Sequence, residues 1–362
     1  MRGEGVHEVS VALLPGDGIG PEVIAEGIRV LKTSADLHGF SLRLTEYPWS
    51  GDHFLKTGVL MPDSALDEYR RQDAIYLGAI GDPRLPIGQI ERAVVGAIRF
   101  RLDLYVNLRP IRCLADHLSP LKAKGPKEID FVVCRENTED CYTGIGGFLK
   151  KGGADEVAIQ EMVYTRKGTE RIVRYAFDLA KRRPRHKLTL VDKANAIPAH
   201  DLWRRTFAEV GKEYPEVQTE VAYVDAACMW MVKNPEWFDV IVTPNLFGDI
   251  LTDLGAILQG GMGVAASGNL HPGRVSMFEP IHGSAPKYRG LNTANPIAAI
   301  AAAAMMLEHL GEPQASSEIE SAITRLLASR RIPSVGTDSG LSTSRIGDLI
   351  VSELGSAQAA KA

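Results

Sequence analysis

The chain has 362 residues, a formal net charge of −4, and 45% hydrophobic and 24% charged residues. This length exceeds the usual size of a single hydrophobic core, so two domains are expected. The slightly acidic balance argues against a protein that binds nucleic acid through its charge. The longest apolar run, residues 297–307, is rich in alanine and too short to span a bilayer, so it predicts a buried helix and no membrane partner.

Cysteine usage and the chain ends suggest a location. The four cysteines show no CxxC spacing, which argues against a zinc site or a disulfide framework and favours a reducing cytosol. The first residues, MRGEGVHEVS, contain no apolar segment typical of a signal peptide. We therefore expect a cytoplasmic protein, with SAQAAKA at the end as a frayed tail.

The N-terminal part alternates between strand and helix patterns. An apolar run at residues 9–14 ends at the glycine turn GDGIG and a helix with Pro21 in its first turn; a second buried strand covers residues 74–80. The alternation predicts an α/β sheet with helices on both faces. The turn offers N–H groups to a phosphate or carboxamide, but it lacks the GxGxxG spacing of Rossmann proteins, and a tight structural turn is the alternative.

Arginines concentrate in the next segment. Arg99 and Arg109 accompany the sequence LDLYVNLRP, and Arg135 follows an apolar strand. A guanidinium binds a carboxylate through paired hydrogen bonds, so three arginines converging on one cleft would suit a di- or trianionic acid. Surface ion pairs are the alternative, and we expect that role for Arg101 and Arg112.

Two candidate acid/base groups follow. Tyr142 lies in the turn-rich sequence RENTEDCYTGIGG, where its phenol could donate a proton into a cleft; half-buried packing is the alternative. Lys193 follows a strand at residues 188–191, at a position suited to a catalytic lysine or to an exposed one. Between them, residues 152–166 predict a polar loop and a short strand that could reach toward another subunit.

The sequence NLFGDILTDLG, residues 245–255, is the most informative segment. Asp249 and Asp253 are four residues apart, so on a helix they share one face. Carboxylates are hard oxygen ligands that suit Mg²⁺ or Mn²⁺, whereas solvated carboxylates or caps of the helix N-terminus are the alternative. We assign the opposite, core-facing side of this helix to five aliphatic residues: Ile250, Leu251, Leu254, Ile257 and Leu258.

Two neighbouring strands support a metal site. A near-continuous apolar strand at residues 238–243 leads directly into this helix, so the aspartates lie at the carboxyl edge of a central strand, where open α/β sheets bind ligands. Asp225 ends a further strand at residues 221–224 and is a candidate third ligand. Beyond the helix, the glycine-rich residues 260–268 predict a crossover between domains.

The loop FEPIHGSAPKYRG, residues 278–290, carries a local positive charge beside an aromatic ring. Lys287, Tyr288 and Arg289 would suit an adenosine 2′-phosphate, and a solvated loop is the alternative.

Together these segments resemble the β-decarboxylating dehydrogenases, the family of isopropylmalate, isocitrate, homoisocitrate and D-malate/tartrate dehydrogenases. The matching motifs, in the order of that family, are LPGDGIGPEV, LDLYVNLRP, RENTEDCYTG, VDKAN, YVDA, NLFGDILTDL, FEPIHGSAP and ANP. The segments YPWSGDHFLKTG and EVAIQEMVYTRKGTERIVRYAFDLA are most similar to the D-malate/tartrate branch.

The resemblance implies an α/β, isopropylmalate dehydrogenase-like fold of two domains, with mixed sheets flanked by helices and no Rossmann fold. Residues 1–106 and 262–362 would form a large cofactor-binding domain. Residues 107–261 would form a small domain with the dimer interface and an arm at about residues 144–166. The family is dimeric or tetrameric, with an active site in the cleft between the domains, so a homodimer that shares active sites is implied.

The same resemblance assigns roles to residues. Lys193 and Tyr142 would be the acid/base pair, and Lys193 and Asp225 would act in the site of the partner subunit. Mg²⁺ or Mn²⁺ would be held by Asp225, Asp249 and Asp253, and the leaving carboxylate by Arg99, Arg109 and Arg135. The implied cofactor-binding residues are His282, Gly283, Ser284, Ala285, Lys287, Tyr288 and Asn295.

The implied reaction is NAD(P)-dependent oxidative decarboxylation of a 2R-malate-type hydroxy acid to a keto acid and CO₂. The metal would orient the C2 hydroxyl and the adjacent carboxylate, hydride would pass to nicotinamide, and CO₂ would leave the resulting β-keto acid. Overall likeness favours a substrate such as D-malate or tartrate over 3-isopropylmalate, isocitrate or homoisocitrate. A non-catalytic regulatory subunit is an alternative from a different class.

Two departures from the family pattern bear on specificity. NAD-dependent members carry an acidic residue after HGSAP, whereas Lys287 and Tyr288 stand here, which favours NADP⁺ over NAD⁺. The residues three and four positions before the first clamp arginine face the substrate's variable substituent in the family. Here they are Gly96 and Val95, which provide neither the leucine pair that an isopropyl group would need nor a polar partner for an extra carboxylate.

Overall fold

The computed structural model describes residues 7–337 and 339–359. Its strands within these residues are β1 Glu8–Gly16, β2 Ser41–Glu46, β3 Ala74–Ala79, β4 Val106–Arg112, β5 Asp130–Glu136, β6 Gly146–Leu149, β7 Val157–Gln160, β8 Lys187–Asp192, β9 Gln218–Tyr223, β10 Val240–Thr243, β11 Ala266–Leu270 and β12 Ser276–Pro280. Its helices are α1 Gly20–His38, α2 Gly51–Thr57, α3 Asp63–Tyr69, α4 Gln89–Glu91, α5 Ala97–Arg101, α6 Arg166–Arg182, α7 Asp201–Gly211, α8 Val224–Lys233, α9 Asn245–Leu258, α10 Ile297–His309, α11 Pro313–Ala328 and α12 Thr343–Ala359.

The chain forms two compact units. The first comprises residues 1–104, 112–126 and 256–362, and the second comprises residues 105–111 and 127–255. Residues 112–126 and 256–261 therefore belong to the first unit, unlike in the expected domain division. The glycine-rich run at 260–268 lies wholly within the first unit and includes part of β11, so it is not a crossover at the unit boundary.

The first unit contains a mixed sheet in the order β2-β1-β3-β12-β11. Strands β2, β1, β3 and β12 are parallel, and β11 is antiparallel to β12. Side chains of β3 alternate between two covered faces: Ile75 and Leu77 pack in a buried cluster with α3 to α5, whereas the hydroxyl of Tyr76 donates to Ala299 O of α10 at 2.7 Å. Burial on both faces explains why β3 is apolar throughout.

The second unit contains a sheet in the order β4-β5-β10-β8-β9, in which β5, β10, β8 and β9 are parallel. Strand β10 is fully buried between β5 and β8, as its apolar run predicted. Helix α6 packs against these strands and begins at Arg166, where the side chain of Thr165 accepts the Gly168 N–H at 2.9 Å.

Smaller features complete the fold. Strands β6 and β7 form a separate antiparallel pair whose residues are all exposed. The alanine-rich α10 is buried, as predicted. None of the described helices has the length and apolarity needed to cross a membrane. Helix α12 continues to Ala359, so the predicted frayed tail begins inside a helix. The last three residues of that tail, 360–362, lie outside the described part of the chain, as do residues 1–6.

Candidate active site

The second unit gathers charged side chains around Asp249 on α9. Arg135, from the end of β5, donates from Nη1 to Asp249 Oδ1 at 2.5 Å and from Nε to Asn245 Oδ1 at 2.9 Å. The hydroxyl of Tyr142 donates to the second oxygen, Asp249 Oδ2, at 2.9 Å. Both carboxylate oxygens therefore have a partner. The Arg135 guanidinium also lies over the Tyr142 ring, with Cζ 5.3 Å from the ring centre.

Arg109, on β4, reaches the second aspartate. Its Nη1 lies 2.7 Å from Thr252 Oγ1 and 3.5 Å from Asp253 Oδ1, and its Nη2 lies 3.9 Å from Asp249 Oδ1. The structure thus brings two of the proposed clamp arginines, the candidate acid Tyr142 and two of the proposed metal ligands into one cluster. Its chemistry is that of a carboxylate pair balanced by two guanidiniums, with a phenol within proton-transfer distance.

Burial shifts proton affinities in this cluster. It raises the pKa of Tyr142 to about 12, against the lowering effect of Arg135 and with the support of the Asp249 carboxylate. Tyr142 is therefore protonated at neutral pH and can act as a proton donor. The pKa of Asp253 is also raised, chiefly by burial, with Arg109 opposing the shift and Asp249 adding to it. A cation between the two aspartates would remove their mutual repulsion.

Gly248, which was not identified from the sequence, makes this cluster possible. A Cβ atom at Gly248 would lie 2.4 Å from Cγ and 2.6 Å from Cβ of Arg135. Any side chain there would displace the arginine from α9, since real Cβ atoms do not approach so closely. The signal was present in the sequence as a glycine inside an otherwise apolar helix pattern.

Lys193 and Asp225 form a separate pair in this unit. Lys193 Nζ donates to Asp225 Oδ1 at 2.7 Å, and this hydrogen bond is the main cause of a lowered pKa for Asp225. Asp225 lies in the first turn of α8, one residue beyond the predicted strand. The described residues contain no group of three acidic, histidine or cysteine side chains arranged to hold a metal ion, so Asp225 does not join Asp249 and Asp253 within one chain.

The apolar side of α9 differs from the prediction. Leu251 and Leu258 are buried, but Ile250 and Ile257 are 53% and 52% exposed. Assigning these two isoleucines to the core was wrong. Ile250 lies about 100° around the helix from Asp249, which places it beside the aspartate face and away from the core-facing side.

In the first unit the arginines are already paired. Arg99 Nη2 donates to Glu279 Oε1 at 2.7 Å, and Asn269 Nδ2 donates to the same oxygen at 2.7 Å. Glu279 was not identified from the sequence. Arg101 pairs with Asp63 and Arg112 with Glu320, so the expectation of surface ion pairs for both is confirmed.

The GDGIG turn packs tightly against its own protein. The Ile19 N–H donates to Ser284 O at 2.8 Å, and a Cβ at Gly18 (φ +58°) would lie 1.9 Å from that oxygen. The buried Asp17 carboxylate accepts the N–H groups of Gly51, Asp52 and Gly81 at 2.9, 3.2 and 3.1 Å. The structure therefore favours the tight structural turn over an anion site, with Asp17 as an anchor that the sequence reasoning missed.

The loop from His282 to Asn295 contains two buried nitrogens without partners. His282 Nδ1 lies 3.1 Å from Gly283 O, which can only accept, so Nε2 is the unprotonated nitrogen. That Nε2 and Asn295 Nδ2 are buried, and neither has a hydrogen-bond partner among the described residues. One is an acceptor and the other is a donor, the complement of the N6 amino group and the ring nitrogen along an adenine edge.

The other predicted cofactor residues lie in the same loop. Gly283 is exposed, Ser284 supplies the carbonyl that binds α1, and Ala285 has a left-handed φ of +41°. Lys287 is exposed, with Nζ 4.7 Å from the ring centre of Tyr288. Arg289, by contrast, pairs with Asp52 at 2.5 Å, so it does not add a free positive charge to the loop as expected.

Comparison with known proteins identifies the family. Residues 10–350 match the family described as isocitrate/isopropylmalate dehydrogenase. The 3-isopropylmalate dehydrogenase of Thermobifida fusca is 49% identical over 94% of this chain and 96% of its own, and that of Clavibacter michiganensis is 46% identical over 96% and 98%. These relatives carry the name of 3-isopropylmalate dehydrogenase and not that of the D-malate/tartrate branch.

Solved structures agree. A crystal structure of isocitrate dehydrogenase from Methylococcus capsulatus superposes with a TM-score of 0.86 at 38% identity, covering 96% of this chain and 99% of that one. A β-decarboxylating dehydrogenase from Thermococcus kodakarensis gives a TM-score of 0.80 at 35% identity, with 97% of each chain covered. The predicted fold class is confirmed, and the chain belongs to the isocitrate/isopropylmalate dehydrogenase family of decarboxylating oxidoreductases.

Proposed function

We propose that this chain oxidatively decarboxylates a 3-substituted malate, with 3-isopropylmalate as the first candidate and with NADP⁺ and Mg²⁺ or Mn²⁺ as cofactors. The observation that carries the reaction type is the convergence of Arg109, Arg135 and Tyr142 on the Asp249/Asp253 pair. The choice of substrate rests on relatives of 46–49% identity that are named for 3-isopropylmalate.

The carboxylates of Asp249 and Asp253 fit a hard divalent cation. They supply oxygen ligands from one helix face, and their side chains are 41% and 54% exposed. When bound, such a cation acts as a Lewis acid on the hydroxyl and carboxylate of a 2-hydroxy acid. Arg135 and Tyr142 hold Asp249 in place for this role, because each binds one of its oxygens.

The remaining residues would handle the substrate and its protons. Arg109 and Arg135 are rigidly held guanidiniums suited to a substrate carboxylate. Arg99 is the third arginine proposed for substrate binding, and in the first unit it donates to Glu279 Oε1. Tyr142, protonated at neutral pH, would deliver the proton from its phenolic oxygen to C3 after CO₂ leaves. Lys193 would take up the proton of the C2 hydroxyl at Nζ, which requires the neutral amine form and the loss of its pair with Asp225.

The cofactor proposal rests on the loop that follows β12. The unpartnered His282 Nε2 and Asn295 Nδ2 suit an adenine ring, and the exposed ammonium of Lys287 suits a 2′-phosphate. Gly283, Ser284, Ala285 and Tyr288 would shape the backbone around it. The bound cofactor supplies the hydride acceptor.

A homodimer, or a tetramer built from it, is proposed because the second unit exposes large apolar side chains. Met229 of α8 is 68% exposed, and Phe148 and Leu149 of the exposed β6–β7 arm are 60% and 61% exposed. Large apolar side chains left exposed in this way suggest an interaction surface. In such a dimer, Lys193 and Asp225 would act in the site of the partner subunit.

Subunit complementation tests the shared site. Lys193→Met should be inactive alone, and Asp253→Asn should be inactive alone at a metal concentration that just saturates the wild-type enzyme. After co-refolding, they should regain about one quarter of wild-type activity, because half of the dimers are mixed and each mixed dimer contains one intact site. No recovery in a sample shown to contain mixed dimers would rule out sharing.

D-malate or tartrate is the second candidate, favoured by the small residues before Arg99. Val95 packs partly against the buried cluster, and Gly96 closes a π-helical segment, Arg92–Gly96, that joins α4 to α5. A π turn inserts one residue relative to an α-helix, which changes the directions of the side chains across this segment. A Cβ at Gly96 would meet only Glu91 O at 3.6 Å and Arg92 Cβ at 3.9 Å, which are ordinary contacts.

A substrate panel decides between the candidates. Reduction of NADP⁺ and NAD⁺ is followed with Mg²⁺ or Mn²⁺ and 3-isopropylmalate, D-malate, tartrate, isocitrate or homoisocitrate. The proposal expects the highest kcat/KM for 3-isopropylmalate. Higher kcat/KM for D-malate or tartrate would favour the second candidate, and no metal-dependent reduction with any of these acids would refute both.

A further inference from the structure

We infer that Tyr164, His200 and Asp140 form a hydrogen-bonded chain that positions the two proposed acid/base residues, Lys193 and Tyr142. The three side chains lie in the second unit and carry no role in the proposed function. The inference rests on that proposed function for the roles of Lys193 and Tyr142. The existence of the chain itself is tested separately.

His200 fixes the loop of Lys193. Its side chain is fully buried, and its Nδ1 accepts the backbone N–H of Lys193 at 3.0 Å. A backbone N–H can only donate, so Nδ1 carries no proton and the neutral ring holds its proton on Nε2. Nε2 lies 3.0 Å from the hydroxyl oxygen of Tyr164 and therefore donates to it.

Tyr164 passes the chain on to Asp140. Its hydroxyl donates to Asp140 Oδ1 at 2.9 Å, and that carboxylate is fully buried. Asp140 begins the short 3₁₀ turn that contains Tyr142, and it has a left-handed φ of +71°. A non-glycine residue holds this conformation only where its surroundings determine it.

The Asp140 carboxylate also binds two backbone groups of the proposed site. Oδ1 accepts the Cys141 N–H at 2.8 Å, and Oδ2 accepts the Leu246 N–H in the first turn of α9 at 3.0 Å. One buried carboxylate thus anchors the turn of Tyr142 and the helix of Asp249. Through Tyr164 and His200, the same carboxylate anchors the loop of Lys193.

The chain is built so that its hydrogen bonds can be removed without losing its packing. The Tyr164 ring makes edge contacts with His200 and Trp203, with ring centres 5.1 and 6.4 Å apart. Tyr164→Phe keeps these contacts and removes only the hydroxyl, which leaves His200 Nε2 and one Asp140 lone pair without this partner. Tyr164 and His200 are therefore positioning residues, since neither is assigned contact with the reacting atoms.

The test compares Tyr164→Phe, His200→Gln and the double variant in the full-length enzyme. We expect Tyr164→Phe to lower kcat about 10-fold while KM for substrate and cofactor stays within about 2-fold, because misplaced catalytic groups act mainly on the chemical step. The double variant should lose little more than the worse single variant, as expected for members of one network. Amide hydrogen exchange at residues 193–197 and 141–145 should become faster.

Tyr214→Phe is the matched control. Its hydroxyl also donates to a carboxylate, Asp178 Oδ1, at 2.9 Å, but on the surface of the same unit. This variant should keep wild-type kcat and exchange at both segments. If Tyr164→Phe does not fold, His200→Asn takes its place, because its amide oxygen can still accept the Lys193 N–H while the link to Tyr164 is lost.

The outcomes separate the two proposals. Wild-type-like kcat in Tyr164→Phe would overturn the positioning role, and unchanged exchange at both segments would overturn the chain itself. If the wild-type enzyme reduces no cofactor with any acid of the panel, the proposed function fails. Faster exchange in Tyr164→Phe would then still establish the chain as a link between the two loops.

Discussion

The two units prepare their polar groups for ligands in opposite ways. In the second unit, the charged groups of the proposed site are paired with one another: Asp249 is held by Arg135 and Tyr142, and Lys193 by Asp225. In the first unit, the loop after β12 leaves His282 Nε2 and Asn295 Nδ2 buried and without a partner among the described residues.

The difference predicts how each region responds to mutation. Paired charges stabilise the ligand-free protein, so replacing one of them leaves its partner unsatisfied and costs stability as well as function. An unpartnered buried nitrogen contributes no such bond before the ligand arrives. Its replacement should therefore weaken binding with little effect on the ligand-free fold.

The largest effect is expected at the acid/base residues. Lys193→Met and Tyr142→Phe should each lower kcat by about 10²–10⁴-fold, the range for loss of a general acid or base, with metal and cofactor saturating. Lys187→Met is the control, because Lys187 forms a similar ion pair with Glu220 at 2.9 Å on β8 and has no proposed role. Turnover near the wild-type level in either variant would remove that residue from the mechanism.

Metal removal comes next. A chelator should abolish activity, and added Mg²⁺ or Mn²⁺ should restore it. Asp253→Asn should raise the metal concentration for half-maximal activity by at least the roughly 10–100-fold that loss of an outer-shell partner costs. Because burial and Asp249 disfavour ionised Asp253 by more than Arg109 and Arg135 favour it, this replacement is an exception among the paired charges, and the variant should be no less stable than wild type without metal.

Thermal melting can check both the weaker metal binding and the unchanged metal-free stability of Asp253→Asn. Thermal melting without metal should give equal or higher Tm for Asp253→Asn, whereas the metal-induced gain in Tm should shrink. Asp201→Asn, which breaks an exposed pair with Arg205, should leave the metal response unchanged. A full metal-induced gain in Asp253→Asn would exclude this carboxylate as a ligand.

Cofactor preference tests Lys287. Lys287→Asp should lower kcat/KM for NADP⁺ relative to NAD⁺ by about 10–100-fold, the value of one charge-assisted hydrogen bond plus the new repulsion. Lys32→Asp makes the same charge change on α1 and should leave the ratio as it is. Strong preference of the wild-type enzyme for NAD⁺ would refute the NADP⁺ proposal outright.

Asn295 offers the sharpest test of the unpartnered group. Its Oδ1 accepts the Ile297 N–H at 2.9 Å at the start of α10, while its Nδ2 is the unpartnered donor. Asn295→Asp keeps the acceptor and removes the donor, so cofactor affinity should fall about 10-fold. Asn295→Ala also removes the helix-capping bond and should lower Tm more.

One result for Asn295→Asp would contradict a cofactor-binding role for this side chain. Equal cofactor affinity in the wild-type and Asn295→Asp proteins, measured by titration calorimetry, would mean that the nitrogen meets no ligand. The contrast between the two regions would then have no functional meaning.

The sequence predicted the parts of the fold and of the proposed site that depend on residues close together in the chain. The helix with Asp249 and Asp253 and the central strand before it follow from local periodicity, and the structure agrees. The Arg99–Glu279 bond and the Asp17 anchor could not be read, because each depends on residues distant in sequence. The exposure of Ile250 had a local signal, its position about 100° around the helix from Asp249, which the prediction did not use. Gly248 had a local signal whose partner, Arg135, could not be deduced.

The smallest expected effect is on the pH dependence of stability, through His200 in the second unit. Burial lowers the pKa of His200 below its ordinary value of 6.5, against the raising influence of Asp192 and Asp140 and with a minor contribution from Arg204. Above pH 6.5 the imidazole is neutral in both states. As pH falls toward the lowered folded-state pKa, the unfolded chain binds a proton that the folded protein does not, so the stability contributed by neutral His200 is lost.

The sign of this pH effect can be checked by comparing His200→Gln with wild type. The free energy of unfolding from urea titrations should fall less between pH 7 and pH 5.5 in His200→Gln than in wild type. The difference cannot exceed about 1.4 kcal/mol per pH unit, the limit for one proton. Parallel pH curves would mean that His200 titrates alike in both states. Protonation would then cost the folded protein nothing, which contradicts a stabilising bond from the Lys193 N–H to a neutral ring, because a protonated ring has no lone pair at Nδ1 to accept it.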